Sequence, residues 1–158
     1  MLKNSKFIIF IRLVFAVYVL CVLALTLLDR SPSSIPFKDY VVRFSEFVPF
    51  KIFAEYAEMI RLDILTVWDV IYQIAGNLFL FFPFGVLFPA SFPKIREAKK
   101  CLPIALSSIF VIELSQLLLK MGSFDITDVM LNMLGEVLGY LLYRLAEKSF
   151  AQRQSKPD

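Results

Sequence analysis

The sequence predicts an all-α integral membrane protein: four transmembrane helices, with an extracytoplasmic amphipathic helix between the first and second. Three observations carry this. Of 158 residues, 58% are hydrophobic, well above the roughly 45–50% of a soluble domain. Mean hydropathy is +0.69. The charged residues, 20% of the chain, are gathered between long apolar runs rather than spread through them. Histidine is absent, which excludes imidazole acid/base chemistry, Ser-His and Cys-His nucleophile pairs and His-ligated metals.

A helix needs about 20 mainly apolar residues to cross a hydrocarbon core of roughly 30 Å. Phe7 to Leu28, Val70 to Phe92, Cys101 to Leu119 and Ile126 to Tyr143 meet that requirement. They take about half of the chain and leave too little for a separate soluble domain, so residues 1–158, with an outer loop over 29–69, read as a single membrane domain. The first span is expected to persist as a span: its apolar run exceeds that of a signal peptide, and Leu27, Leu28, Asp29 and Arg30 offer no small-residue cleavage site.

Orientation follows from Lys and Arg, which are retained on the cytoplasmic side. Lys3, Lys6 and Arg12 lie at the first end, Lys94, Arg96, Lys99 and Lys100 between spans two and three, and Arg144, Lys148, Arg153 and Lys156 at the tail. Both termini are therefore expected to be cytoplasmic. The opposite connections are rich in acids, among them Asp39, Glu46, Glu55, Glu58, Asp63, Asp69, Asp125 and Asp128. Basic and aromatic residues do not interleave, so nucleic acid is not an expected partner. Cys21 and Cys101 fall in separate apolar segments and read as small hydrophobes, not a disulfide.

The outer loop opens with Ser31-Pro32-Ser33-Ser34-Ile35-Pro36, a turn-rich stretch unsuited to helix. From Lys51, apolar Phe53, Ala57, Ile60, Ile64 and Trp68 recur every three or four residues, with Lys51, Glu55, Glu58, Arg61 and Asp63 on the other side. This pattern predicts an amphipathic helix. It lies either along the membrane interface, with Trp68 and Tyr72 at headgroup level, or as a lid on the bundle.

Polar side chains at membrane depth are costly and tend to face a bundle interior or a wet cavity. They form three stripes: Asp69, Gln73 and Asn77 in span two, Glu113, Gln116 and Lys120 in span three, and Asp128, Asn132 and Glu136 in span four. Spacings of three, four, seven and eight place each stripe on one helix face. At 1.5 Å per residue, Asn77 and Glu136 lie about 12 Å below the acids that open their helices. With Asp125 at the entry to span four, these residues predict a polar cleft open to the outside. Asp69, Val70, Gln73, Gly76 and Asn77 also align without gaps on Asp128, Val129, Asn132, Gly135 and Glu136, as in a parallel repeat. Gly135 and Gly139 form a small-xxx-small pair for close helix approach. Gly76, Gly85, Pro83 and Pro89 in span two read as packing or kink positions.

Several of these residues form motifs. Ala75-Gly76-Asn77-Leu78-Phe79-Leu80-Phe81-Phe82-Pro83-Phe84-Gly85, then Glu113 with Gln116, then Phe124-Asp125-Ile126-Thr127-Asp128 followed by Asn132, Gly135 and Gly139, together resemble the VanZ-like family of bacterial membrane proteins. Glu46-Phe47-Val48-Pro49-Phe50-Lys51 is similar to that family's segment before span two. The resemblance covers about residues 10–146. It implies a small multi-pass envelope protein and an association with resistance to the glycopeptide teicoplanin, without implying a reaction. The chain departs from the family at Gly122, where arginine is frequent, and at Glu136, where a small residue is; Lys120 stands one turn away as a substitute cation.

Three functions remain open. The cleft binds a polar headgroup, of a lipid-linked wall precursor or a glycopeptide, and lowers drug access, with membrane lipids as the surrounding partner. Alternatively, Glu113, Asp125, Asp128 and Glu136 supply an acid and a base, or oxygens for a hard cation, in an enzyme acting on a lipid-linked substrate. The third function is a small transporter. No cofactor or metal motif is present, and none is expected. Oligomeric state is not readable from the chain.

Overall fold

The computed structural model describes residues 5–27 and 32–154, and of Arg153 and Gln154 only the backbone. Lys3, Leu28, Asp29, Arg30, Ser31 and Lys156, used in the sequence reading, lie outside the described residues. Four helices are long and apolar enough to cross a membrane: α1 (Ser5–Leu27), α4 (Val67–Ser91), α5 (Ala98–Leu118) and α6 (Ile126–Gln154). Between α1 and α4 lie α2 (Phe37–Arg43), a two-residue strand β1 (Ser45–Glu46) and α3 (Lys51–Arg61). A second short strand, β2 (Phe124–Asp125), precedes α6.

Among the described side chains of α1, only Val22 and Thr26 are buried. Ile11, Phe15 and Tyr18 are partly buried against the core, and most of the other apolar side chains of this helix turn outward, which suits a lipid surround. Its Arg12 does not simply reach for the membrane edge. Nε donates to the Ser91 carbonyl at 3.0 Å, and the guanidinium lies over the Phe92 ring at 5.5 Å from its centroid. A cation thus meets the carbonyl end of α4, where the helix dipole is negative.

α4 starts three residues earlier than its apolar run because Thr66 caps it. The Asp69 amide donates to Thr66 Oγ1 at 3.2 Å, and the Thr66 amide donates back to Asp69 Oδ2 at 2.8 Å, a capping box. The helix runs through Pro83 and Pro89 without a break. Proline loosens the preceding turn, and there Tyr18 Oη donates to the Leu80 carbonyl at 2.6 Å.

α4 and α6 pack most closely of all, and they run parallel. Their backbones touch: a Cβ on Gly135 would lie 1.8 Å from the Leu78 carbonyl oxygen, one on Gly139 2.1 Å from that of Phe82, and one on Gly85 2.1 Å from that of Glu136. Below this crossing the core is aromatic. The Phe84 and Phe88 rings stack with centroids 5.0 Å apart, and Phe15 of α1 meets Phe84 edge-on at 5.5 Å. Cys101, Ala105 and Ile109 of α5 are fully buried against them.

α6 continues far beyond Tyr143, because Arg144, Leu145, Ala146, Glu147 and Lys148 remain good helix formers after the apolar run ends. Glu147 pairs with Arg96, while Tyr140 Oη donates to the Arg96 carbonyl at 3.0 Å. This fixes the α4–α5 connection against α6.

At the other end of the bundle the 32–66 connection is tied down by contacts distant in sequence. Ser45 pairs with Phe124 and Glu46 with Asp125 in a parallel bridge. Tyr40 of α2, almost fully buried, donates its hydroxyl to the Gly122 carbonyl at 2.8 Å. α3 is shorter than its apolar periodicity implies. It stops at Arg61, Asp63 turns left-handed at φ 54°, and Trp68 stands exposed in the first turn of α4 instead. No residue of α3 is buried, and apolar Phe53 and Met59 on it and Ile64 just past its end are exposed.

Candidate functional site

A polar cavity of about 250 Å³ lies where α1, α4, α5 and α6 meet, toward the end that carries the 32–66 connection. α4 contributes Gln73, Gly76 and Asn77, α5 Glu113 and Gln116, α6 Asp128 and Asn132, and α1 Thr26; Tyr72 and Ser123 complete the polar rim. Glu113 and Asn132 are buried at its floor, whereas Tyr72, Gln73, Gly76 and Ser123 are exposed at its mouth.

The amides hold the walls together. Asn77 Nδ2 donates to Asp128 Oδ1, joining α4 to α6. Asn132 Nδ2 donates to Glu113 Oε1 at 3.4 Å, joining α6 to α5. Gln116 Nε2 donates to the Thr26 carbonyl at 3.1 Å, joining α5 to α1. Each amide thus directs a donor into the protein. The Asn132 Oδ1 acceptor, by contrast, is buried without a hydrogen-bond partner, a condition that costs free energy unless something supplies a donor. Among the described residues, two carboxylates line the cavity and no Lys or Arg does.

The motif from Phe124 to Asp128 divides its work. Phe124 packs with Tyr40 and Leu117. Asp125 Oδ1 accepts from the Thr127 amide at 2.7 Å, which caps the start of α6. The Thr127 hydroxyl, fully buried, accepts from the Phe50 amide at 3.0 Å and so fixes the left-handed entry to α3. Asp128 alone of the five reaches the cavity wall.

Four residues expected in the cleft lie outside its lining. Asp69 is exposed and spent on the capping box with Thr66. Lys120, left-handed at φ 54° just past the end of α5, donates Nζ to the Ile35 carbonyl at 3.0 Å and holds the extended 32–36 stretch. It takes no part in the cavity as a cation. Asp125 faces the helix cap. Glu136 sits two turns beyond Asp128 and wholly inside the protein: Oε1 lies 3.7 Å from Cys101 Sγ, and Oε2 has no partner. The four carboxylates are accordingly not one cluster, and among the described residues no group of three or more His, Cys, Asp and Glu side chains could hold a metal ion. The sequence reading left Thr26 and Ser123 out of the cleft and placed Tyr72 only at headgroup level, whereas all three line the cavity. Tyr72 could have been found on the helix face it shares with Gly76, and Thr26 as a polar group at the end of an apolar run.

Outside the spans, one titrating group senses this site. Burial first, and then the negative charges of Asp128, Asp125 and Glu55, push the Tyr56 phenol of α3 up to about 12. α3 therefore lies within electrostatic reach of the cavity. On its exposed side, the hydrogen bond from Lys51 holds the Glu46 carboxyl below its ordinary value, and the same bond raises the Lys51 ammonium.

A profile of the VanZ/LLP1 family matches residues 15–147. A curated relative, Protein VanZ of Enterococcus faecium, is 33% identical over 82 residues, which are 52% of this chain and 50% of that protein. The alignment thus spans about half the length of that relative. No solved structure matches.

Proposed function

The chain belongs to the VanZ/LLP1 family of multi-pass membrane proteins, and from that premise we propose that its polar cavity binds the polar headgroup of an envelope molecule and thereby lowers susceptibility to glycopeptide antibiotics. The observation that carries this reading is the cavity floor, where a buried carboxylate, Glu113, stands beside the partnerless Asn132 Oδ1. Buried polar groups at membrane depth serve mainly to bind or to relay. A headgroup held there is withheld from a drug that competes for it.

The orientation proposed with it puts the cavity mouth outside the cytoplasm, since Lys94, Arg96, Lys99, Lys100, Arg144 and Lys148 crowd the opposite end. The exposed apolar side chains on and just after α3, with exposed Trp68 and Tyr72, would then rest among lipid headgroups. In a background with Cys21 and Cys101 replaced by alanine, a cysteine at Ser34 should react with a membrane-impermeant maleimide in intact cells. Labelling only after lysis would reverse the assignment.

The functional test is resistance itself. Asp128→Asn and Asn132→Ala, expressed and inserted to wild-type levels, should lose it. Full resistance in both variants would show that the cavity is not the working part.

A further inference from the structure

Directly beyond the floor of the polar cavity lies a second space of about 600 Å³, a lateral groove between α1, α4 and α5. The two share Phe81 and Ile112 as common walls. Each helix passes from one to the other: α1 from Thr26 to Val22 and Phe15, α4 from Asn77 to Phe84 and Phe88, α5 from Glu113 to Val111 and Ile104. The groove presents mostly hydrocarbon, because its hydroxyls are turned onto backbone carbonyls. Tyr18 donates to Leu80 at 2.6 Å, Ser107 to Pro103 at 2.8 Å and Ser108 to Ile104 at 2.9 Å. A polar pocket thus ends where an apolar channel at membrane depth begins.

We propose that cavity and groove form one site for a neutral glycolipid, with a hydroxyl-rich sugar headgroup in the cavity and an acyl chain in the groove. This rests on the headgroup-binding reading above and narrows it to one lipid class. The chain follows from adjacency: a headgroup that meets Glu113 lies against Ile112 and Phe81, the wall that cavity and groove share, and the groove begins on the other side of that wall. The headgroup chemistry follows from the lining. Glu113, Asp128 and the Asn132 oxygen call for donors, while the amides at Gln73 and Asn77 and the hydroxyls at Thr26 and Ser123 can give or take hydrogen bonds. Sugar hydroxyls, each both donor and acceptor, match this mixture. A phosphate at the neck of the lipid would instead meet the Glu113 carboxylate, and among the described residues no Lys or Arg lines the cavity to offset it.

The test uses purified full-length protein in a polyoxyethylene detergent, offered a monoglucosyl diacylglycerol and a phosphatidylglycerol of identical acyl chains, with bound lipid counted by native mass spectrometry. The glycolipid should be retained roughly tenfold better, reflecting hydroxyls paired with buried acceptors. Asp128→Asn should remove that preference. Ser108→Phe, which fills the groove without touching the cavity, should cost roughly tenfold in retention, because each displaced CH2 is worth about fourfold. Val111→Phe on the same exposed wall repeats the test should the first variant fold poorly. Equal retention of both lipids, preference for a phosphatidylethanolamine of the same chains, undiminished binding in both groove variants, or a groove variant that converts a dimer to monomer would each overturn the proposal. If Asp128→Asn and Asn132→Ala lose resistance while the glycolipid is not preferred, the lipid class falls and the headgroup reading stands; if neither loses resistance, that reading falls too.

Discussion

Gly135→Ala should loosen the whole bundle, whereas Gly76→Ala, made in the same face-to-face pair of helices, should not. At Gly135 the new methyl carbon would lie 1.8 Å from the Leu78 carbonyl oxygen, against an ordinary contact of at least 3.4 Å. The obstacle is backbone, so no side chain can swing away, and α4 and α6 must separate by roughly 1.6 Å at their closest point. Overpacking of this kind costs about 1–3 kcal/mol, and a rigid obstacle puts the cost at the upper end. For a chain of this size about 3 kcal/mol corresponds to a fall in Tm of roughly 6–12 °C. Gly76 has nothing within 4 Å of the added carbon. There the substitution relieves a helix-interior glycine, worth about 0.5–1 kcal/mol, and should raise Tm by roughly 1–4 °C. The methyl nevertheless enters the polar cavity, so this more stable variant should show weakened resistance. Thermal unfolding of both proteins in one detergent, followed by circular dichroism, measures the contrast. A Gly135→Ala variant within about 2 °C of wild type, or one more stable than Gly76→Ala, would refute the backbone contact between α4 and α6.

Three further outcomes are expected. The raised phenol of Tyr56 favours the neutral form in the folded protein, so its contribution to stability is complete below its ordinary value near 10 and is lost as pH rises toward about 12. Ultraviolet titration, with Tyr56→Phe subtracted, should show this late transition, and Asp128→Asn should bring it earlier; an unshifted curve would place α3 outside the reach of Asp128. Tyr40→Phe removes the bond to the Gly122 carbonyl and should cost about 1 kcal/mol by thermal unfolding. Glu136→Met, similar in volume, removes a carboxyl whose Oε2 is unsatisfied, so stability should stay level or rise by about 1–3 kcal/mol. Resistance should be kept. Its loss at unchanged Tm would return Glu136 to the working site.

The four long helices were legible because a lipid core demands length and apolarity from a single continuous segment, a requirement that any local window reveals. What escaped was either short or non-local. α2 has only seven residues, though Pro36 before it, Asp39 in its first turn and Arg43 in its last mark its ends. The bridge between Ser45 and Phe124 has no local signature at all. Helical periodicity groups Gln73 with Asn77, Glu113 with Gln116, and Asp128 with Asn132, and all six line one cavity. It failed at the ends of those stripes, where capping chemistry takes over. Thr66-Val67-Trp68-Asp69 carries the spacing of a capping box, and Lys120 falls just past a helix end, where a left-handed residue stops the chain. In both places the local backbone uses the polar side chain before the cavity can.

The gap-free alignment of span two on span four shows how matching positions can serve different ends. Asp69 and Asp128 both occupy the first turn of a long helix, but Asp69 bonds back to Thr66 while Asp128 accepts across from Asn77. In α6 the capping task has passed to Asp125, three residues earlier, and this releases Asp128 toward α4. The matched glycines diverge as well: Gly76 opens onto the cavity, whereas Gly135 is pressed against the Leu78 backbone. Consequently the α4–α6 wall of the site is set by backbone contact at Gly85, Gly135 and Gly139, with little freedom to adjust. The α1 and α5 walls meet α4 largely through side chains, with the apolar groove between them. A ligand that needs room must find it there, by displacing α1 or α5 rather than by parting the two glycine-bearing helices.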